Sequence, residues 1–159
     1  MNIKIAIVDD NSFLIKTVQE KLSFFEDFSL KFTAENGLDL IEKLEKNHNV
    51  DLILMDIEMP KMNGIEATGF VKQKYPQIKI IMLTVFDNDE NIFNAIKAGA
   101  DGYLLKTVEL DHLFDFIVKV LAGESVISPE MMTKLVTAFR SKPPAAEEPP
   151  VPAPSQPAP

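Results

Sequence analysis

At 159 residues and 46% apolar content, the chain has room for one domain with a substantial core and a small appendage. It contains no cysteine, which excludes a disulfide framework and a thiolate zinc site. Sixteen Lys and Arg against twenty-four Asp and Glu leave a net charge of −8, a surface that repels nucleic-acid phosphate and suits a divalent cation or a basic partner.

The run IKIAIV (3–8) has the length and β-branched content of a strand, and it ends in Asp9-Asp10. Two Asp so early in the chain interrupt any apolar signal core, and no later apolar run reaches bilayer length. A cytosolic protein without membrane contact is therefore expected. Leu14, Val18, Leu22 and Phe25 recur at helical spacing through 12–25, and SLKFTA (29–34) predicts a second strand. A helix follows from Leu38 to Leu44, opened by Asn36-Gly37 and closed around Asn47-His48-Asn49. DLILM (51–55) predicts strand three, with Asp56 at its tip and Glu58 two residues beyond. MPKMNG (59–64) is a loop into a helix that ends before Tyr75-Pro76. IKIIML (78–83) predicts strand four, followed by Thr84, and Asn91 to Ala98 a short helix with Gly99 as its C-terminal cap. DGYLL (101–105) is the fifth strand and runs into Lys106, after which Leu110 to Leu121 forms a strongly apolar helix.

Beyond Gly123, Ser128 as N-cap and Pro129 at the first helical position predict one further helix to about residue 140. The remainder, PPAAEEPPVPAPSQPAP, holds eight of the eleven prolines and has the composition of a stiff, solvated, disordered linker, with Glu147-Glu148 adding charge. The expected division is a domain over 1–123, a trailing segment over 124–141 and a Pro-rich linker over 142–159. A linker implies something to link, here an output domain absent from this chain.

Five strands alternating with helices predict an α/β fold: a doubly wound parallel sheet of flavodoxin-like order 2-1-3-4-5 with helices on both faces. Ligands in such sheets bind beyond the carboxyl ends of the strands, where strand order reverses. That point lies between strands one and three, so Asp9, Asp10 and Asp56 converge there, with Thr84 and Lys106 on the neighbouring strand ends. Asp at a strand end is also ordinary turn chemistry, but crowded carboxylates are costly without a cation. All-oxygen ligation with open positions suits Mg²⁺. A carboxylate can accept a phosphoryl group, and Mg²⁺, Lys106 and Thr84 would neutralise and position its oxygens. On this reading Asp56 is presented because it reacts.

The ordered set VDDN (8–11), LMDIEMPKMNG (54–64), LT (83–84) and GADGYLLK (99–106) resembles the CheY-like receiver domain of bacterial two-component response regulators, from Met1 to about Gly123. The segment GESVISPEMM and the linker resemble the NarL/FixJ subgroup, whose output is a LuxR-type helix-turn-helix domain. The resemblance implies a phosphorylation-switched signalling module and not a turnover enzyme. A sensor histidine kinase would be the donor, Asp56 the phosphoacceptor, and transcription the output, with DNA touched only by the absent domain. Asp10, supported by Asp9, would hold Mg²⁺ together with Asp56 and the backbone carbonyl of Glu58. Lys106 would pair with the phosphoryl group and Thr84 would hydrogen-bond it, Tyr103 acting as the aromatic switch behind Thr84. A stand-alone receiver acting by protein contacts is the alternative output. A haloacid-dehalogenase-like phosphatase would place its nucleophile after the first strand, and a flavodoxin-like carrier would need a Ser/Thr-rich phosphate loop where Asp9-Asp10 stand.

Three positions depart from the family pattern. Val85 is bulkier than the usual residue after Thr84, and Phe86 adds an apolar ring; with Glu58 they flank the path of a hydrolytic water and are read as gating dephosphorylation. Thr107 follows Lys106 where many relatives have a proline with a cis bond. A phosphorylation-dependent homodimer is expected through the last helix of the domain. There Leu110, Leu113, Phe114, Ile117 and Leu121 form the core stripe and Phe116 and Val120 an outer pair. His48, His112, Met59, Met62, Met131 and Met132 read as structural residues.

Overall fold

A computed structural model describes residues 2–85, 88–106, 110–127 and 129–141, with the side chains of Leu110, Asp111 and Glu130 outside that description. In chain order the elements are β1 (Ile3–Val8), α1 (Ser12–Leu22), β2 (Phe28–Ala34), α2 (Gly37–Lys46), β3 (Leu52–Met55) and α3 (Gly64–Lys74). They continue with β4 (Lys79–Thr84), α4 (Asp89–Ala98), β5 (Gly102–Leu105), α5 (Leu110–Leu121), β6 (Val126–Ile127) and α6 (Pro129–Ser141). All strand pairs are parallel and the sheet order is β2-β1-β3-β4-β5-β6. The expected five-strand order is present, with β6 added at the far edge. Two residues are too few to show a period, so nothing in the sequence pattern marked β6.

Alternation along the strands divides the core in two. Ala6, Val8, Ile53, Met55, Ile80, Met82 and Tyr103 face one side, where Leu40, Leu44, Ala67, Val71, Ile92 and Ala95 of α2, α3 and α4 cover them. Ile5, Ile7, Leu52, Leu54, Ile81, Leu83 and Leu104 face the other, under Leu22 of α1 and Leu113, Ile117 and Val120 of α5. Strands three and four are buried on both faces, which is why they read as unbroken apolar runs.

Asparagines open the first four helices: Asn11, Asn36, Asn63 and Asn88 each accept a backbone N–H of the first turn through the side chain. Asn63 also forms a reciprocal capping box with Glu66. These caps end the loops at the carboxyl edge of the sheet and so hold the strand tips in place. Helix α1 stops at Leu22, short of the expected Phe25. That residue leaves the helix to stack on Phe114 at 4.6 Å and to meet Phe28 edge-on at 5.9 Å.

The expected outer face of α5 needs correction. Val120 is 1% exposed and shares the core stripe with Leu113 and Ile117, because seven residues bring a helix back to nearly the same azimuth. Gly102 lets the helix close in: a Cβ there would stand 3.5 Å from Val120 Cγ2. Phe116 is half-buried, 6.3 Å from the His112 ring. The pair Phe116 and Val120 therefore forms no outward patch. Ser128 and residues 142–159 lie outside the described residues, and with them the expected N-cap and the linker.

At the amino edge of the sheet, Asp101 Oδ2 accepts from Ile80 N at 2.9 Å and from Lys72 Nζ at 3.0 Å. Lys72 Nζ also donates to the Ile78 carbonyl at 3.0 Å. The ion pair is mostly shielded, at 19% and 22% side-chain exposure. Asp101→Ala is expected to cost about 1–3 kcal/mol in urea unfolding by leaving the Lys72 ammonium and the Ile80 N–H unmatched. Phosphoryl acceptance at the opposite edge should be unchanged.

Candidate functional site

Val8 and Met55 end β1 and β3 as register partners, so the next residues, Asp9 and Asp56, emerge side by side. Backbone bonds fix both tips: Asp9 N donates to Ala34 O at 3.0 Å and Asp56 N to Val8 O at 2.9 Å. Asp10 turns outward and is exposed, whereas Asp9 and Asp56 are each 6% exposed. Each of the three offers a carboxylate oxygen within 4.8 Å of the others.

Lys106 enters this crevice from the end of β5. Its Nζ donates to Asp9 Oδ2 at 2.6 Å and to Asp56 Oδ2 at 3.2 Å, with 11% of its side chain exposed. Its backbone N–H bonds Thr84 O at 2.9 Å, which ties the lysine to the end of β4. The remaining oxygens are also held: Asp9 Oδ1 accepts from Asn11 N at 2.9 Å, and Asp56 Oδ1 from Ile57 N at 2.8 Å. One ammonium against three carboxylates leaves an excess of negative charge. The donor set fits Mg²⁺: hard oxygens, one of them open to solvent, at separations slightly wider than the ~4 Å across an octahedral Mg²⁺.

Thr84 is fully buried at the end of β4. Tyr103 is also fully buried, on the same sheet face as Thr84 and paired in register with Met82, two residues back along β4. The tyrosine is thus a core residue beneath the threonine. Glu58 and Val85 are exposed at the rim, Val85 at 61%. Phe86 and Thr107 lie outside the described residues, and so do the apolar cover expected over the water path and the Lys106–Thr107 bond. His48 stacks on Tyr75 at 5.1 Å and Met131 is buried in the core, so both have structural surroundings.

The loop from Ile57 to Asn63 contains positioning residues that pattern reasoning passed over as punctuation. Met62 N donates to Pro60 O at 2.7 Å across Lys61, whose φ is +69°, the pattern of a γ-turn with a left-handed centre. Gly37 N bonds Met62 O at 3.0 Å and Gly64 N bonds Ile57 O at 2.8 Å. A Cβ on Gly64 would lie 1.9 Å from the Asp56 carbonyl oxygen, and one on Gly37 2.6 Å from Met62 Cγ. The two Asn-Gly pairs at 36–37 and 63–64 were the visible signal. What they signal is close approach of a helix start to the reactive loop.

The response regulator receiver domain family matches residues 5–118. The chain is 36% identical over 138 residues to the transcriptional regulatory protein DegU of Brevibacillus brevis, covering 87% of this chain and 58% of that protein. It is 38% identical over 135 residues to the response regulator protein VraR of Staphylococcus epidermidis, covering 85% and 64%. The chain thus spans about six tenths of the length of these relatives. A CheY-like response regulator receiver domain protein from Methanospirillum hungatei superposes with a TM-score of 0.70 at 30% identity, over 77% of this chain and 96% of that one. Six parallel strands with two helical layers, three carboxylates at the reversal point and a family match over most of the domain agree: this chain belongs to the response regulator receiver domains.

Proposed function

We propose that Asp56 accepts a phosphoryl group from a sensor histidine kinase and that the acyl phosphate switches the domain. The observation that carries this is the Lys106 ammonium bridging Asp9 and Asp56 inside a crevice that Asp10 opens to solvent. Asp56 Oδ1 is occupied by the Ile57 N–H, so Oδ2, on the Lys106 side, is the oxygen placed to attack. The new O–P bond forms as the N–P bond of the phosphohistidine breaks, and the departing imidazole takes up a proton. Lys106 then exchanges its carboxylate contact for the phosphoryl oxygens, and the Thr84 hydroxyl turns toward them, freeing space into which Tyr103 moves. Asp9, Asp10, Asp56 and the Glu58 carbonyl would hold Mg²⁺, which supplies the charge neutralisation a dianionic donor needs.

The division into a receiver over 1–123, a trailing segment over 124–141 and a linker over 142–159 belongs to this reading. So does a transcriptional output through a DNA-binding domain outside the chain, which the name of the DegU relative and the −8 charge both support. Among the described residues no helix is long and apolar enough to cross a membrane, which fits a cytoplasmic role. A homodimer through the outer face of α5 is no longer part of the reading, because Val120 is buried.

Intact-mass spectrometry after incubation with acetyl phosphate tests the proposal. One added phosphoryl group is expected with Mg²⁺ and none with EDTA, and Asp56→Asn should take up none. Full labelling of Asp56→Asn would overturn the assignment.

A further inference from the structure

Helix α6 has two apolar stripes. Met131, Leu135 and Ala138 recur at helical spacing on the side turned to α4, with Met131 5% and Ala138 4% exposed. Met132, Val136 and Phe139 lie on the outer side and remain exposed, apart from a tilted contact of Phe139 with Phe93 of α4 at 6.3 Å. The buried stripe is not a separate cluster. Met131 belongs to the same core as Tyr103, Ile92, Ala95 and Ala100, and Ile127 and Leu135 pack against it.

The same segment also touches Tyr103 along the backbone. Strand β6 extends the sheet beside β5 with Tyr103 and Ile127 in register, and Val126 N bonds Asp101 O at 3.2 Å. Tyr103 is therefore bounded by β4 on one side, by β6 on the other, and by the core that Met131 closes. No route for the side chain to shift leaves this packing unchanged, since close-packed cores rearrange between discrete states and do not deform smoothly. Meanwhile α6 is a thin cover. It packs chiefly on α4, and a helix of 13 residues has little stability without a docking surface.

From this geometry we infer that α6 is an internal ligand of the α4–β5 face, whose seat includes Tyr103 and loosens when Asp56 is phosphorylated. The inference rests on the phosphoacceptor role proposed above and adds the element that receives the signal. Movement of Tyr103 toward Thr84 withdraws one wall of the Met131 site, and α6, from which residues 142–159 continue, is released. Linkage requires the reverse effect as well: weakening the α6 seat favours the phosphorylated state.

Hydrogen–deuterium exchange on the full chain tests this, with Asp56 labelling followed by mass in the same samples. On phosphorylation by acetyl phosphate and Mg²⁺, amides of 129–141 should exchange about 10-fold faster, within the usual range of allosteric coupling, while those of α2 stay constant. Met131→Ala should show faster α6 exchange without any donor and a higher labelled fraction at limiting donor, and Met131→Leu should restore both. Tyr103→Ala should also speed α6 exchange in the unphosphorylated protein. Labelling of Asp56 with unchanged exchange over 129–141 would overturn the inference and leave the phosphoacceptor role intact. Absence of labelling would overturn both.

Discussion

Gly64→Ala is expected to slow phosphorylation of Asp56 by about 100-fold, the usual cost of misplacing a reacting group by about 1 Å. The added methyl group would sit 1.9 Å from the Asp56 carbonyl oxygen, which is backbone and cannot swing aside. Either α3 or the Asp56 peptide must move, and the Gly64 N–H to Ile57 O bond holds the two together. Overpacking at such a site adds about 1–3 kcal/mol of destabilisation. Gly69 in the middle of the same helix supplies the contrast. No atom lies within 4 Å of a Cβ built there, so Gly69→Ala should stabilise the protein by about 0.5–1 kcal/mol and leave the rate alone. Initial rates with acetyl phosphate and urea melts of both variants check the pair. A Gly64→Ala protein that labels at the wild-type rate would show that the loop has more freedom than its contacts imply.

Lys106→Met should damage stability and chemistry together, but with opposite responses to metal. The methionine keeps the apolar stem and the backbone bond to Thr84, so β5 should survive. The loss is the ammonium bridging Asp9 and Asp56, whose side chains are 8% exposed. Leaving shielded charge unpaired costs about 3 kcal/mol or more, and Mg²⁺ should recover a larger share of that in the variant than it adds to wild type. Phosphorylation should not recover: the lost charge-assisted contact is worth about 1.5–3 kcal/mol, or roughly 10- to 100-fold in rate. Urea melts with Mg²⁺ and with EDTA, alongside labelling rates, separate the two. Equal stabilisation of variant and wild type by Mg²⁺ would mean that Lys106 does not share its carboxylates with the metal.

Much of the site was legible in the chain because it lies at strand ends. A strand announces where it stops by the change from apolar to polar residues, and in a parallel sheet every strand stops at the same edge. Asp9, Asp10, Asp56, Thr84 and Lys106 could therefore be brought together from position alone, and the structure places all five at that edge. The asparagine caps were less visible. Asn63 and Asn88 sit in loops where Asn has several uses, and only the N–H groups they accept show which one applies.

What the sequence determined by itself was the alternation of elements, the edge at which chemistry gathers and the residue types gathered there, since all three follow from local period and local polarity. Tertiary structure decided the rest, because the rest depends on distances between segments remote in the chain. Val120 reads as an outer residue until α5 is laid over Gly102 and its azimuth is set by the sheet. Gly64 reads as a helix start until the Asp56 carbonyl is found where its side chain would be. Tyr103 reads as an edge-strand aromatic until β6 extends the sheet and Met131 closes the core over it, and neither a two-residue strand nor the partner of an amphipathic helix has a period to read.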